Sequence, residues 1–316
     1  MAVLERGAPS TATAPGRVPG AAAHRARAPR PVGRRHRMAG WWFVSPALAL
    51  FAVFFVYPLL ASLWQSFFAT EAGAATFVGL GQYRRMLDDP LVAQSLLNAG
   101  LLLAVQVPLM VCLALGLAYL LNLSWLRLRT GYRLLAFLPA VTSLVAYSVV
   151  FRVLLATDGA MNQLIGALGL DPVDWLNNPL WARVALIAAI TWRWTGYNMV
   201  ILLAGLQAVP QELYEAARLD GANGWQVFTR VVVPQLRPVL VFVTITSTIG
   251  ALQLFDEVVI LTGGGPTNAT LTPVLYLYKV GFEQFDFGYA SAIAWVVVVL
   301  TMAISVVQLR LTREKP

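Results

Sequence analysis

Six long apolar runs, separated by shorter polar segments, dominate the chain after residue 40. A helix needs about 20 apolar residues to cross the hydrocarbon core of a bilayer. The runs are apolar throughout and do not alternate with period two, which favours helices over the strands of a barrel. The pattern therefore predicts an all-α integral membrane protein with six transmembrane helices, at residues 42–67, 96–121, 134–155, 184–206, 239–261 and 289–309.

Residues 1–40 have a different composition, rich in Ala, Arg, Pro and Gly, with eight arginines against one acidic residue. Such a segment buries too little apolar surface to offset its ordering entropy, so we predict a disordered tail. A solvated tail facing anionic lipids explains the arginines, and nucleic-acid binding stays open as an alternative. The predicted organisation is this tail, a first transmembrane helix with an outer loop (41–94) and a core of five helices (95–312).

The positions of Lys and Arg predict the orientation of the helices. With the N-terminus in the cytoplasm, 17 of the 23 basic residues fall in the tail, in residues 122–133, in residues 207–238 and at the C-terminus. The three outer loops then carry four. Because cytoplasmic segments of membrane proteins are enriched in Lys and Arg, we expect both termini in the cytoplasm.

The chain has 12% charged residues and a mean hydropathy of +0.67, and its composition excludes several kinds of chemistry. Both histidines, His24 and His36, lie in the tail, and Cys112 is the single cysteine. The transmembrane part therefore offers no histidine or cysteine cluster for a metal ion. Neither lysine, Lys279 nor Lys315, follows a G-x-x-x-x-G-K pattern, so the chain lacks a phosphate-binding P-loop. We expect no catalytic residue, metal or cofactor on this chain.

The predicted cytoplasmic segment 207–238 has the signals of two short helices. Pro210 suits a helix start, and Gly221 accepts the left-handed conformation that follows a helix end. A second helix is expected over residues 224–233, where Pro234 should stop it because proline has no amide hydrogen. The segment therefore predicts a helix–turn–helix on the inner membrane surface.

The same segment resembles a known motif. Glu215-Ala216-Ala217, then Gly221, then Val231-Val232-Val233-Pro234 reproduces the E-A-A-x3-G-x9-[IV]-x-[LV]-P loop of bacterial ABC importer permeases. Valines stand where the family often has Ile and Leu, which conserves the apolar character. Flanking segments 192–197, 261–266 and 287–292 resemble the carbohydrate-uptake branch of this family.

The resemblance implies a type I ABC importer permease fold with a cytoplasmic coupling loop, in the bacterial inner membrane. It also implies several partners: a second homologous permease, cytoplasmic ATP-binding subunits that hold ATP and Mg²⁺, and an extracytoplasmic solute-binding protein. On this chain the resemblance assigns ATPase coupling to Glu215, Ala216, Ala217, Asp220, Gly221 and Pro234.

Polar and aromatic residues inside two of the runs are candidates for the solute path, because sugars are bound by aromatic faces and hydrogen-bonding groups. In the similar maltose-type permeases an aromatic residue at the position of Tyr197 lines the cavity. Trp192 has the aromatic belt of the membrane interface as an alternative role. The candidates for the path are Trp194, Tyr197, Asn198, Gln253 and Asp256.

Arg193 is a charged residue well inside the fourth run, and such residues are usually functional or paired. Three roles stay open for it. The guanidinium pairs with Asp256 or Glu257, reaches the outer interface, or contacts the solute.

Three function classes follow from these observations. The leading one is a permease subunit of a carbohydrate importer, with a non-sugar solute such as a glycerol phosphate derivative as the variant. A secondary transporter needs intramembrane acids for ion coupling, and no carboxylate lies in the middle of a run. A membrane enzyme needs a cluster of acids or histidines, and the outer loops hold only scattered acids.

Overall fold

The computed structural model describes residues 34–71, 74–123 and 128–312. Most of the predicted tail, residues 1–33, lies outside these ranges. The chain divides into two compact units, one ending at Val56 and the other beginning at Tyr57.

The first unit contains helix α1 (Arg34–Phe51) and a π-helical turn, Ala52–Val56. The helix begins at Arg34, six residues before the predicted end of the tail. Side chains from 41 to 56 are all exposed, as expected for an apolar helix that faces lipid. The candidate membrane span in this part of the chain is Trp41–Gln65, close to the predicted first run.

The second unit is mostly helical and has one small hairpin. Strands β1 and β2 pair antiparallel with Phe68 opposite Phe77, a departure from an all-helical chain. The elements up to the middle of the chain are α2 (Tyr57–Gln65), β1 (Phe68–Glu71), β2 (Ala74–Phe77), α3 (Gly81–Asp88), α4 (Pro90–Asn122), α5 (Arg129–Val141), α6 (Leu144–Leu154) and α7 (Ala160–Ala167).

The remaining elements include the fourth and sixth predicted spans as single long helices. They are α8 (Pro179–Gln207), α9 (Gln211–Leu219), α10 (Gly224–Val227), a π-helical turn (Phe228–Val232), α11 (Val233–Gln235), α12 (Arg237–Leu252), α13 (Asp256–Leu261), α14 (Pro273–Tyr278), a second π-helical turn (Lys279–Glu283) and α15 (Phe287–Thr312).

The expectation of six spans is confirmed with two corrections. Within the described residues, four helices are long and apolar enough to cross a membrane, and the number reaches six if each of two bent pairs, Arg129–Val141 with Leu144–Leu154 and Gly224–Gln235 with Arg237–Leu252, counts as one span. The third predicted run is not one helix, because α5 and α6 meet at an angle of 95°. The fifth run is also interrupted: α12 ends at Leu252 and α13 starts at Asp256.

Buried apolar side chains form two clusters at opposite ends of α4 and α8. One cluster joins the first halves of these helices to α13, α14 and α15, beside the β1–β2 hairpin. We call this the hairpin end. The other joins their last turns to Val227, Val232 and Leu236. We call this the loop end, since it carries residues 207–238.

Side-chain hydrogen bonds fix the connection after α13 to the hairpin end. The Asn98 amide donates to the carbonyl oxygens of Asn268 and Leu271 at 2.9 and 3.0 Å. The Arg183 guanidinium donates to the carbonyl oxygen of Ala269 at 2.9 Å and to Asn98 Oδ1 at 3.2 Å. Because Asn98 lies on α4 and Arg183 on α8, these bonds also hold the starts of the two helices together.

Candidate functional site: an exposed helical loop and a polar cavity

Helix α9 at the loop end is defined by the residues at its two ends. Pro210 precedes it, and Glu212 in its first turn faces the positive end of the helix dipole. At the other end Gly221 has φ +78°. The amide of Ala222 donates to the carbonyl oxygen of Ala217, and that of Gly221 to Arg218, which is the Schellman arrangement. Asp220 is the C-cap. The predicted helix and its glycine stop are confirmed.

The second loop helix starts with a reciprocal cap. Asn223 Oδ1 accepts from the Gln226 amide, and Gln226 Oε1 accepts from the Asn223 amide, both at 2.9 Å. The prediction that Pro234 stops this helix is wrong, since helical structure continues to Gln235. In the π-helical turn before Pro234, the Val233 amide donates to the carbonyl oxygen of Phe228, five residues back. This hydrogen-bond pattern does not need the amide hydrogen that Pro234 lacks, so the helix continues.

One face of the loop packs on the rest of the chain. Tyr214 and Ala217 contact the apolar cluster of the loop end. The Phe228 ring lies 4.6 Å from the ring of Tyr119 on α4. The loop is therefore anchored to a long transmembrane helix.

The other face of the loop is exposed and partly apolar. Glu215 and Ala216 point away from the chain, whereas Ala217, expected to share this face, is turned inward. Leu219 is 89% exposed and Trp225 is 71% exposed. Sequence reasoning missed both. Large exposed apolar side chains beside an acidic residue are typical of a protein interface.

A cavity of about 320 Å³ lies between the helices of the second unit. It is lined by α4, α6, α8, α12 and the break that separates α12 from α13. All five residues predicted for the solute path contribute to its wall: Trp194, Tyr197, Asn198, Gln253 and Asp256.

The spacing of three residues between Gln253 and Asp256 predicts that they share one face of a helix, and this expectation is wrong. Gln253 and Asp256 do not share a helix face, because Gln253 follows the end of α12 and Asp256 begins α13. The break itself turns both side chains toward the cavity, and both are exposed. An interrupted helix is a frequent way to place polar groups inside a membrane protein.

Aromatic and amide groups occupy the α8 wall. The rings of Trp194 and Tyr197 meet edge to face with centroids 5.8 Å apart, and Tyr197 is exposed to the cavity. Asn198 is 3% exposed, and its Nδ2 lies 3.4 Å from Ser247 Oγ and from Met110 Sδ. Gln106 on α4 is also 3% exposed and approaches the same sulfur. Sequence reasoning missed Gln106, although a lone amide in an apolar run is a signal for such a position.

Within the described residues, the structure shows neither an ion pair of Arg193 with Asp256 or Glu257 nor an exposed position at an interface, and it does not place Arg193 in the wall of the cavity. Arg193 is 6% exposed. Its Nη1 donates to the carbonyl oxygen of Thr142 at 2.8 Å, just after α5 ends, and its guanidinium lies 4.7 Å from the Tyr147 ring centre. A cation at the C-terminus of a helix satisfies free carbonyl oxygens and the helix dipole. Arg193 therefore stabilises the break between α5 and α6.

Replacing this guanidinium tests that role. Arg193→Met is expected to lower the free energy of unfolding by about 3 kcal/mol, because carbonyl oxygens at the end of α5 lose a charged donor. For a chain of this size that corresponds to a fall in Tm of about 8 °C. Thermal unfolding of the purified protein in detergent measures it. The control is Arg152→Met, an exposed arginine on α6, and equal Tm values for both variants would contradict the assignment.

A second polar cluster, at the hairpin end, was not anticipated. Asp89 Oδ2 accepts hydrogen bonds from the hydroxyls of Tyr276 and Tyr289 at 2.5 and 2.7 Å. Arg85 pairs with Asp286 at 2.7 Å and lies over the Tyr289 ring. Burial acts to raise the pKa of the Asp89 carboxyl, but hydrogen bonds from the two tyrosines and from backbone amides outweigh it and hold the pKa below its ordinary value.

Because this pKa is lowered, Asp89 contributes stability above its unfolded pKa and loses that contribution as the pH falls through its folded pKa. Asp89→Asn is expected to lower Tm at pH 7 by about 5 °C, from about 2 kcal/mol of lost charged hydrogen bonding. The difference from wild type should shrink toward pH 3. Thermal unfolding at both pH values checks this, with the exposed neighbour in Asp88→Asn as control. A difference that does not depend on pH would contradict it.

Comparison with known proteins gives a consistent result. Residues 107–314 match the family described as binding-protein-dependent transport system inner membrane component. The lactose transport system permease protein LacF of Rhizobium radiobacter is 44% identical over 287 residues, 89% of this chain and 96% of that protein. The arabinooligosaccharides transport system permease protein AraP of Halalkalibacterium halodurans is 38% identical, over 85% of this chain and 86% of that protein.

The fold also matches a solved structure. A chain of a bacterial alginate ABC transporter, crystallised with an alginate pentasaccharide-bound periplasmic protein, superposes with a TM-score of 0.76 at 21% identity. The match covers 88% of this chain and 95% of that one. The predicted fold class is therefore confirmed.

Proposed function

This chain belongs to the family of binding-protein-dependent transport system inner membrane components, and we propose that it forms half of the translocation path of an ATP-driven carbohydrate importer. It is a membrane transport subunit and not an enzyme, and ATP is hydrolysed on a separate chain. The observation that carries the proposal is the cavity, in which an aromatic edge, amides and carboxylates meet on one wall. Such a set of groups suits a solute rich in hydroxyl groups.

The proposed coupling surface is the exposed face of the loop. Glu215, Ala216, Leu219 and Trp225 form an acidic and apolar patch that the chain itself leaves uncovered. We infer that an ATP-binding subunit, which carries ATP and Mg²⁺, docks there. Asp220, Gly221 and the turn around Pro234 then act by shaping the loop. A rigid loop packed on α4 allows closure of the ATPase subunits to bias the permease between two conformations.

The other partners and the orientation belong to the same proposal. A second homologous permease supplies the other half of the path, and an extracytoplasmic binding protein delivers the solute to the hairpin end. The loop end then faces the cytoplasm together with both chain termini. The excess of Lys and Arg in the segments assigned to that side supports this orientation.

Purification from native membranes tests the proposal. The tagged chain is expected to bring down an ATP-hydrolysing subunit and a second permease in stoichiometric amounts. The charge-reversal variant Glu283→Lys, at the hairpin end and away from the loop, serves as a control. It should retain both the ATP-hydrolysing subunit and the second permease. A chain that purifies alone and transports sugar in response to a proton or sodium gradient would favour the secondary transporter instead.

A further inference from the structure

The cavity wall carries net negative charge. Among the described residues that line it, Asp256 and Glu257 are acidic, and none is Lys, Arg or His. Glu257 is 5% exposed and lies beside the Tyr147 hydroxyl. Arg193 donates to the carbonyl oxygen of Thr142 after α5 and is not part of the wall, but its guanidinium lies 4.7 Å from the ring centre of the same Tyr147. The wall itself therefore contains no cation, and Asp256 is the carboxylate that is exposed to the cavity.

The same wall offers a neutral solute several hydrogen-bond acceptors. Gln106 and Asn198 are almost fully buried, and their amide nitrogens are directed at the sulfur of Met110. Within the described structure neither amide oxygen accepts a hydrogen bond from the protein, so both are available to a solute. With the two carboxylates they make a surface rich in acceptors, which fits the hydroxyl donors of an uncharged sugar.

We propose that this cavity selects uncharged carbohydrates and discriminates against phosphorylated, sulfonated and uronic sugars, with Asp256 and Glu257 as the specificity-determining residues. This inference rests on the proposed function and narrows its substrate class. A like charge about 6 Å from a carboxylate, at an effective dielectric constant of about 20, weakens binding by about 100-fold. The donors that the wall offers to an anionic group, such as the Tyr197 hydroxyl and the Gln253 amide, are neutral and carry no charge to offset this repulsion.

Some relatives and structural neighbours of this chain are named for charged solutes. The family includes the sulfoquinovosyl glycerol transport system permease protein SmoG of Agrobacterium fabrum, 34% identical to this chain. The structurally similar alginate transporter imports an acidic polysaccharide. A shared fold therefore does not fix the charge of the solute.

Equilibrium binding to the detergent-purified transporter complex tests the proposal. Saturation-transfer difference NMR, which suits weak sites, is used with two probes, lactose and lactose 6′-phosphate. Wild type is expected to bind lactose at least tenfold more tightly than the phosphate. Equal affinities would overturn the charge inference and leave the carbohydrate permease proposal intact. Absence of binding by either sugar would overturn the assignment of this cavity to the path.

The variants isolate charge from hydrogen bonding. Asp256→Asn combined with Glu257→Gln changes contacts to both probes alike, so the ratio of their affinities reports the electrostatic part. In the double variant, the ratio of the two affinities is expected to fall at least tenfold. In the wild type, the same ratio should fall by a smaller factor when the salt concentration is raised from 20 to 500 mM, because the Debye length shortens from about 20 to about 4 Å. Asp171→Asn removes an exposed acid away from the cavity and should leave the ratio unchanged. An unchanged ratio in the double variant would contradict the proposal.

Discussion

Reversing the charge of Glu215 is expected to abolish sugar uptake while the protein stays folded in the membrane. Glu215 is exposed on α9, so Glu215→Lys breaks no internal contact and leaves Tm within about 1 °C of wild type. In the proposed docking, Glu215→Lys places a positive charge beside Leu219 at the interface with the ATPase, where a like charge or an unpaired buried charge costs several kcal/mol. Uptake of the labelled carbohydrate that wild-type cells import through this system should fall below about 1% of wild type.

Two further variants of the loop show whether this result is specific. Gly221→Glu should also abolish uptake, but by distorting the turn that ends α9, since a residue with a side chain is strained by about 1–2 kcal/mol at φ +78°. Gly224→Ala, in the same loop, has no such angle and no atom within 4 Å of the added carbon, so uptake should persist. Normal uptake and normal ATPase co-purification in Glu215→Lys and Gly221→Glu would refute the coupling role of the loop.

A single methyl group at Gly196 is expected to have the largest effect on folding. A carbon added there would lie 1.6 Å from the carbonyl oxygen of Ala136, so α8 and α5 must move apart. Backbone cannot move aside as a flexible side chain can, and we expect Gly196→Ala to cost about 3–5 kcal/mol. The movement also withdraws Arg193, one turn away, from the end of α5. Membrane yield and Tm in detergent measure the loss.

The matched control is another glycine inside a transmembrane helix. Gly116 on α4 has no atom within 4 Å of an added carbon, and alanine is the better helix former by up to about 1 kcal/mol. Gly116→Ala should therefore keep or raise Tm. If Gly196→Ala behaves in the same way, the close contact between α5 and α8 is not present in the membrane.

The sequence predicts the number and position of the spans well, because apolar length depends only on local composition. It fails at the bends. The end of α5 at Val141 is stabilised by Arg193, some 50 residues away, and no local signal at Thr142 records that contact. Likewise, Pro234 would leave a hydrogen bond unmade in a regular α-helix, but the π-helical turn before it does not require that bond.

The residues of the candidate sites also divide into those that the sequence predicts and those that only the folded structure reveals. Asn198 and Gln253 were found from residue type, since polar groups in apolar runs are rare and usually face a cavity, and Tyr197 was found with the help of the resemblance to maltose-type permeases. Glu257, Thr246 and Ser247 were not assigned to the wall, because their positions depend on where α12 breaks. Leu219 and Trp225 were missed because apolar residues are expected to be buried, and only the packed loop reveals that they are not.

We propose that this chain forms half of the carbohydrate path of an importer driven by a separate ATPase through its exposed loop. The most direct measurement of this proposal is uptake of a labelled carbohydrate, one that the binding protein of the complex binds, into proteoliposomes that contain the purified complex and that binding protein. Uptake is expected only when ATP and Mg²⁺ are present on the side of the loop end, and the Glu215→Lys variant is expected to show no uptake. Uptake that proceeds without ATP on a proton or sodium gradient, or ATP-driven uptake that Glu215→Lys leaves unchanged, would contradict it.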